Sequence, residues 1–124
     1  MSADAKILVI DDFATMRKIV TTMLQKLQYK NISEADSGKS GWEMLQKDSF
    51  DLVISDCNMP EMTGIELLKK IREDSRLSKQ KFIMVSAEAD IELMKSSKQL
   101  NIDGYILKPF KIETLEAKLK TVLP

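Results

Sequence analysis

Residues Phe50–Pro60 read FDLVISDCNMP, and the change of character along this stretch decides the fold. Leu52, Val53 and Ile54 are apolar in succession, too few for a globular helix and rich in β-branched residues, so a buried strand is predicted. The run stops at Ser55 and Asp56, and Asn58, Pro60 and Gly64 then supply loop and turn residues. A carboxylate is thereby delivered to the C-terminal mouth of a buried strand, where open α/β sheets bind their ligands.

The pattern recurs on either side. Upstream, Lys6–Ile10 (KILVI) is a second buried-strand signal and ends in Asp11 and Asp12. Phe13, Met16, Ile19, Val20, Met23, Leu24 and Leu27 follow at helical spacing as one apolar stripe. Ile32–Ala35 is a short strand candidate, Ser37-Gly38 a turn, and GWEMLQ from Gly41 the start of a second helix, with Trp42 and Leu45 toward the core. Downstream, Thr63 and Glu66 have capping-box spacing before Ile65, Leu68 and Ile71, which marks a third helix. Phe82–Val85 is a strand ending at Ser86. A helix with a thin stripe of Ile91 and Met94 is expected over 90–100. Gly104–Leu107 is a fifth strand ending at Lys108-Pro109, and Ile112, Leu115, Leu119, Val122 and Leu123 mark a closing helix. Strand–helix alternation repeated five times predicts an α/β fold: a doubly wound, five-stranded parallel sheet with right-handed crossovers and helices on both faces. A chain of 124 residues is expected to form one domain, 1–124.

Composition narrows the functional classes. The formal net charge is +0, which gives no global electrostatic case for nucleic acid or an anionic membrane. The single cysteine, Cys57, allows no internal disulfide and suits a reducing compartment. The N-terminal MSADAK lacks the apolar segment of a signal peptide, and no apolar run approaches the ~18–20 residues that cross a bilayer. A cytoplasmic protein is expected. With no histidine, any site must use carboxylate, hydroxyl, amine or thiol groups.

The polar residues that end the strands are the candidate site: Asp11 and Asp12, Asp56, Ser86 and Lys108. One such aspartate is ordinarily a turn or cap residue. In a parallel sheet, however, all these ends meet at one edge, so three carboxylates, a hydroxyl and an amine converge. Carboxylates so gathered must protonate or find a cation. Oxygen ligands suit Mg2+ or Mn2+, with coordination positions left for phosphate oxygens. The lysine and serine suit phosphoryl oxygens, and an aspartate can itself accept a phosphoryl group as an acyl phosphate.

The pieces VIDDFATMRKIV, SDCNMPEMTGIELLKKIR, MVSAEA and GYILKPF resemble the receiver domain of bacterial two-component response regulators, in particular the single-domain chemotaxis regulators. The resemblance covers essentially the whole chain. It implies a flavodoxin-like sheet of order 2-1-3-4-5 and Asp56 as phosphoacceptor. It implies Mg2+ held by Asp12, Asp56 and the Asn58 backbone carbonyl, with Asp11 acting largely through water. Lys108 and Ser86 would bind the phosphoryl group, Tyr105 would be the aromatic switch, and Lys108-Pro109 would be cis. Asn58 and Glu88 would tune dephosphorylation. The output face would comprise the fourth and fifth helices and the fifth strand, including Ile91, Met94 and Lys98.

A histidine kinase of the chemotaxis type would be the phosphoryl donor. The flagellar motor switch protein and a phosphatase are the further partners implied, and the protein is expected to be a monomer that binds neither nucleic acid nor membrane. Its only chemistry would be self-phosphorylation and self-dephosphorylation. Two features depart from the family pattern: Ser86 stands where many members have Thr, and Cys57 where chemotaxis members often have Trp. Basic residues Lys95 and Lys98 lie late in the fourth expected helix, after Asp90 and Ile91. That arrangement motivates an alternative within the family, a phosphate sink or relay carrier without a motor target. A Mg2+-dependent phosphohydrolase with an Asp nucleophile is the alternative from another class. Asp56-Cys57-Asn58 lacks the second carboxylate such enzymes place two residues on. A flavin phosphate would be repelled by Asp11 and Asp12.

Overall fold

The computed structural model describes residues 4–87, 95 and 99–123. Five strands, β1 (Lys6–Ile10), β2 (Asn31–Ala35), β3 (Leu52–Asp56), β4 (Phe82–Ala87) and β5 (Gly104–Lys108), form one sheet in the order β2-β1-β3-β4-β5. Every pair is parallel. Four helices are described: α1 (Ala14–Lys26), α2 (Gly38–Lys47), α3 (Gly64–Glu73) and α4 (Ile112–Val122). The helix expected over 90–100 lies largely outside the described residues.

The central strands are apolar on consecutive residues because both faces are covered. Ile7, Val9, Leu52, Ile54, Ile83, Val85 and Ile106 pack on one face with Val20 and Leu24 of α1 and Leu115 and Leu119 of α4. Leu8, Ile10, Val53, Phe82 and Met84 pack on the other with Leu45 of α2 and Leu67, Leu68 and Ile71 of α3.

Local capping sets two helix starts. Ser37 and Ser40 form a reciprocal capping box, so α2 begins at Gly38, three residues before the expected Gly41. Thr63 and Glu66 form the predicted box at α3. The expected stripe of α1 is narrower than its apolar residues suggest. Val20 and Leu24 are buried, whereas Phe13 and Ile19 are 62% and 42% exposed. Phe13 precedes the first helical turn as its cap residue, outside the contact with the sheet.

Arg72, near the end of α3, ties the far end of the sheet together. Its guanidinium donates to the carbonyls of Leu100 (2.7 Å), Ser78 (3.1 Å), Gln80 (2.7 Å) and Asn101 (3.0 Å) and pairs with Asp103 at 3.3 Å. The Asp103 carboxylate in turn accepts the Phe82 N–H at 2.8 Å. A planar five-donor fork meets this geometry, and a point-charge ammonium does not. Arg72→Lys is expected to cost about 2–3 kcal/mol in urea unfolding, because several carbonyls lose their donor together. An unchanged unfolding midpoint would mean that solvent replaces those bonds freely.

Candidate functional site

Three of the expected residues reach the site by the simple alternation of a strand. Asp11, Asp56 and Lys108 each stand two residues beyond Val9, Ile54 and Ile106, which share the α1/α4 face. Asp56 and Lys108 are the last residues of β3 and β5, so the strands run slightly further than their apolar runs indicate. The Lys108 ammonium lies 2.6 Å from Asp56 Oδ1 and 3.9 Å from Asp11 Oδ2. One carboxylate oxygen from each of Asp11, Asp12 and Asp56 lies within 4.8 Å of the others. Asp11 and Asp56 are 4% and 7% exposed, while Asp12 is open to solvent. Asp11, rather than Asp12, bonds the turn that leads into α1, accepting the N–H of the cap residue Phe13 at 2.9 Å.

Burial is the main electrostatic fact. It raises the pKa of Asp56 above the ordinary 3.8, against the lowering effect of the Lys108 hydrogen bond and charge, and Asp12 raises it further. Burial also raises Asp11, against the Phe13 hydrogen bond, with Asp56 adding to the rise. Folding therefore disfavours the ionised form of both carboxylates relative to the unfolded chain. Raised folded pKa values favour the folded state below the unfolded value of 3.8, and this contribution is lost as pH rises through the folded value. In EDTA, Asp11→Asn should accordingly melt higher than wild type at neutral pH, with the advantage shrinking as pH falls through the raised folded value toward 3.8. Thermal melts from neutral pH down to about pH 4 check it, and an advantage growing on acidification would contradict it.

Ser86 takes the opposite sheet face. It follows Phe82 and Met84, is 1% exposed, and its hydroxyl donates to the Ala87 carbonyl at 3.3 Å. Tyr105 is the register partner of Met84 and packs in the same cluster. Its hydroxyl is buried, with no hydrogen-bond partner among the described residues. Asn58 is exposed in the loop after β3. Glu88, Ile91, Met94 and Lys98 lie outside the described residues. The Lys108-Pro109 peptide is cis.

Cys57 is fully buried. Its N–H donates to Val85 O at 2.9 Å, and its carbonyl accepts Gly64 N–H at 2.8 Å. Sequence reading passed over Arg17 and Glu34. The Arg17 guanidinium donates to Asp11 O at 2.8 Å and to Glu34 Oε1 at 3.0 Å. Position alone marked neither, since both lie among other charged residues; the sole signal was Glu34 near the end of β2, beside β1.

Three carboxylates against one ammonium leave excess negative charge on an all-oxygen donor set. That set fits a hard divalent cation of the Mg2+ type, and its buried carboxylates would be relieved by one. A model of the response regulator receiver domain matches residues 7–120. The chain belongs to this family. Receiver domains bind Mg2+ at an acidic cluster, and Asp11, Asp12 and Asp56 form such a cluster here. The chain is 44% identical over 122 residues to "Chemotaxis protein CheY-3" of Vibrio cholerae serotype O1, covering 98% of this chain and 94% of that one. It is 41% identical over 117 residues to "Chemotaxis protein CheY" of Pseudomonas aeruginosa, covering 94% of each. The solved structure of Vibrio cholerae CheY4 superposes with a TM-score of 0.88 at 36% identity, covering 97% of this receiver chain and 99% of that one. These matches bear out the receiver resemblance and the parallel sheet of order 2-1-3-4-5.

Proposed function

We propose that this receiver domain is a single-domain chemotaxis response regulator whose Asp56 accepts a phosphoryl group from a histidine kinase. One observation carries the reading: a nearly buried aspartate at a strand mouth, flanked within 4.8 Å by two further carboxylates and bonded by a lysine ammonium at 2.6 Å. The names of the chemotaxis relatives support the pathway. In the transfer, an Asp56 carboxylate oxygen attacks phosphorus, the bond from phosphorus to the donor's histidine nitrogen breaks, and an acyl phosphate forms. Asp12, Asp56 and the Asn58 backbone carbonyl would hold Mg2+, with Asp11 acting largely through water, and the bound ion would neutralise charge developing on the phosphoryl oxygens. The Lys108 ammonium would exchange Asp56 Oδ1 for a phosphoryl oxygen, and Ser86 would donate to another.

The added charge, about −2, favours the conformation in which Ser86 and Tyr105 turn toward it. It thereby shifts the population presented on the face built around β5 and α4. Tyr105 suits this role because its buried hydroxyl has no hydrogen-bond partner among the described residues to give up. An apolar groove lined by Met16, Ile19, Met23, Pro109 and Phe110 lies beside Lys108. Glu88 and Asn58 would set the rate of phosphate loss, and Ile91, Met94 and Lys98 would contribute to the output face. Among the described residues, no helix is long and apolar enough to cross a membrane, and the proposed place of action is the cytoplasm.

Acetyl phosphate with Mg2+, followed by intact-mass measurement, should give one phosphoryl group per chain, and EDTA should suppress it. Rapid turnover of small phosphate esters would instead favour the phosphohydrolase reading. A beryllofluoride-loaded protein should bind a flagellar switch peptide; if it does not, the protein acts as a sink or relay carrier.

A further inference from the structure

We infer that Arg17, braced by Glu34, is a positioning residue that sets the cation affinity of the acidic cluster through the Asp11–Asp12 peptide. The inference rests on reading that cluster as a Mg2+ site.

Asp11 sits where the β-ladder runs out. Its N–H still donates to Ala35 O of β2 at 3.1 Å, but the last β1–β2 register pair is Ile10 with Ala35, and the Asp11 carbonyl faces that same side. Its carbonyl therefore lies beyond the paired strands, and the Arg17 guanidinium supplies the donor at 2.8 Å. That carbonyl belongs to the peptide unit leading into Asp12. Among the described residues, no hydrogen bond or ion pair holds the Asp12 carboxylate itself. Where this carboxylate sits is decided by its backbone, and the Asp11 carbonyl is the handle on that backbone.

Glu34 explains why an arginine can stand here without spoiling the site. A guanidinium close to three carboxylates would pair with one of them and block a ligand oxygen. Glu34, on the edge strand, takes the Nε–H at 3.0 Å and draws the charge toward β2. One end of the fork is thus spent on Glu34 and the other on a neutral carbonyl. With side chains 20% and 49% exposed, the pair contributes little to stability as an ion pair. Its effect is on geometry.

The test is Mg2+ titration calorimetry on the full chain for wild type, Arg17→Ala, Arg17→Lys and Glu34→Gln, with melting temperatures in EDTA beside it. Groups that orient metal ligands typically change affinity by 10–100-fold when removed. Both Arg17 variants should weaken Mg2+ binding roughly tenfold with little change in the EDTA melt. Lysine should not rescue, because its ammonium lacks the fork that spans both acceptors. Glu34→Gln should weaken binding in the same direction by freeing the guanidinium to approach Asp12. Wild-type affinity in all three variants overturns the inference, as does a lower melt without an affinity change, which would make Arg17 a brace of the fold alone. Failure of wild type itself to bind Mg2+ overturns both this inference and the cation-site reading. Should Arg17→Ala not fold, Arg17→Lys and Glu34→Gln decide the matter.

Discussion

Asp56→Asn is expected to abolish the phosphoryl adduct formed from acetyl phosphate and Mg2+, leaving an intact mass indistinguishable from the untreated protein. The amide keeps the size and much of the hydrogen bonding of the carboxylate but cannot form the acyl phosphate. Fold loss is not the explanation to fear. Burial raises the Asp56 pKa in spite of the ammonium of Lys108, so the ionised group is a net burden on the metal-free fold. Neutralising it should hold or raise the melting temperature in EDTA. Lys108 loses its 2.6 Å partner but keeps Asp11 at 3.9 Å. A full adduct in Asp56→Asn would place the acceptor elsewhere and sink the proposed role. An adduct lost together with a lower EDTA melt would show the ion pair with Lys108 to be worth more than the burial cost.

Gly64→Ala should be the most damaging single-methyl substitution near the site. Gly64 opens α3 directly beneath the loop that follows Asp56. A Cβ added there would overlap the Asp56 carbonyl oxygen, and would lie 2.7 Å from Met84 Sδ and 3.0 Å from Cys57 Cα. Two of these neighbours are backbone atoms, and they cannot swing aside. The Asp56 carbonyl is further fixed by the Ser55 hydroxyl at 2.9 Å, and Gly64 N–H is bonded to Cys57 O at 2.8 Å. Alanine gains about 1 kcal/mol of helix propensity over glycine, but overpacking a tight contact costs about 1–3 kcal/mol, occasionally more. With backbone on the other side of the contact, the upper end applies, so a net loss of about 2 kcal/mol is expected in urea unfolding. Because the displaced atoms belong to the Asp56–Cys57 peptide, the rate of labelling by acetyl phosphate should fall as well. Wild-type stability in Gly64→Ala would show that α3 can slide away from β3, and the packing argument would fail with it.

The sheet was legible because its signals are consecutive and strong. Leu52-Val53-Ile54 and Phe82–Val85 have no polar face to mislead, and both are buried throughout. Asp11, Asp56 and Lys108 were legible as neighbours because parallel strands must present their ends together. What escaped were features set by particular hydrogen bonds, some at one helix end and some between elements. The apolar side chain of Phe13 joins the stripe of α1 by spacing, yet it precedes the first helical turn and is exposed. The start of α2 depends on two serine hydroxyls that bond each other's backbone, while Gly41 a few residues later offers a plausible but wrong beginning. Arg72 and Arg17 read as surface charge, since nothing in a sequence shows which carbonyls lie within reach of a guanidinium. The acidic pair also hid a division of labour. Asp11 is buried and accepts the Phe13 N–H before α1, and Asp12 stands exposed, although the two are adjacent and chemically identical.

Asp11, Asp56 and Lys108 share one side of the sheet, whereas Ser86 and Tyr105 share the other. This is a matter of parity, much like a reading frame with a period of two. Losing a single residue inside β1, β3 or β5 would send its terminal charged group to the wrong side while leaving its chemistry intact. Adding residues to the loops beyond the strands would not. The molecule should therefore tolerate changes of loop length far better than one-residue shifts within a strand, and any functional relative must preserve the count from core to carboxylate even where it changes every apolar residue between.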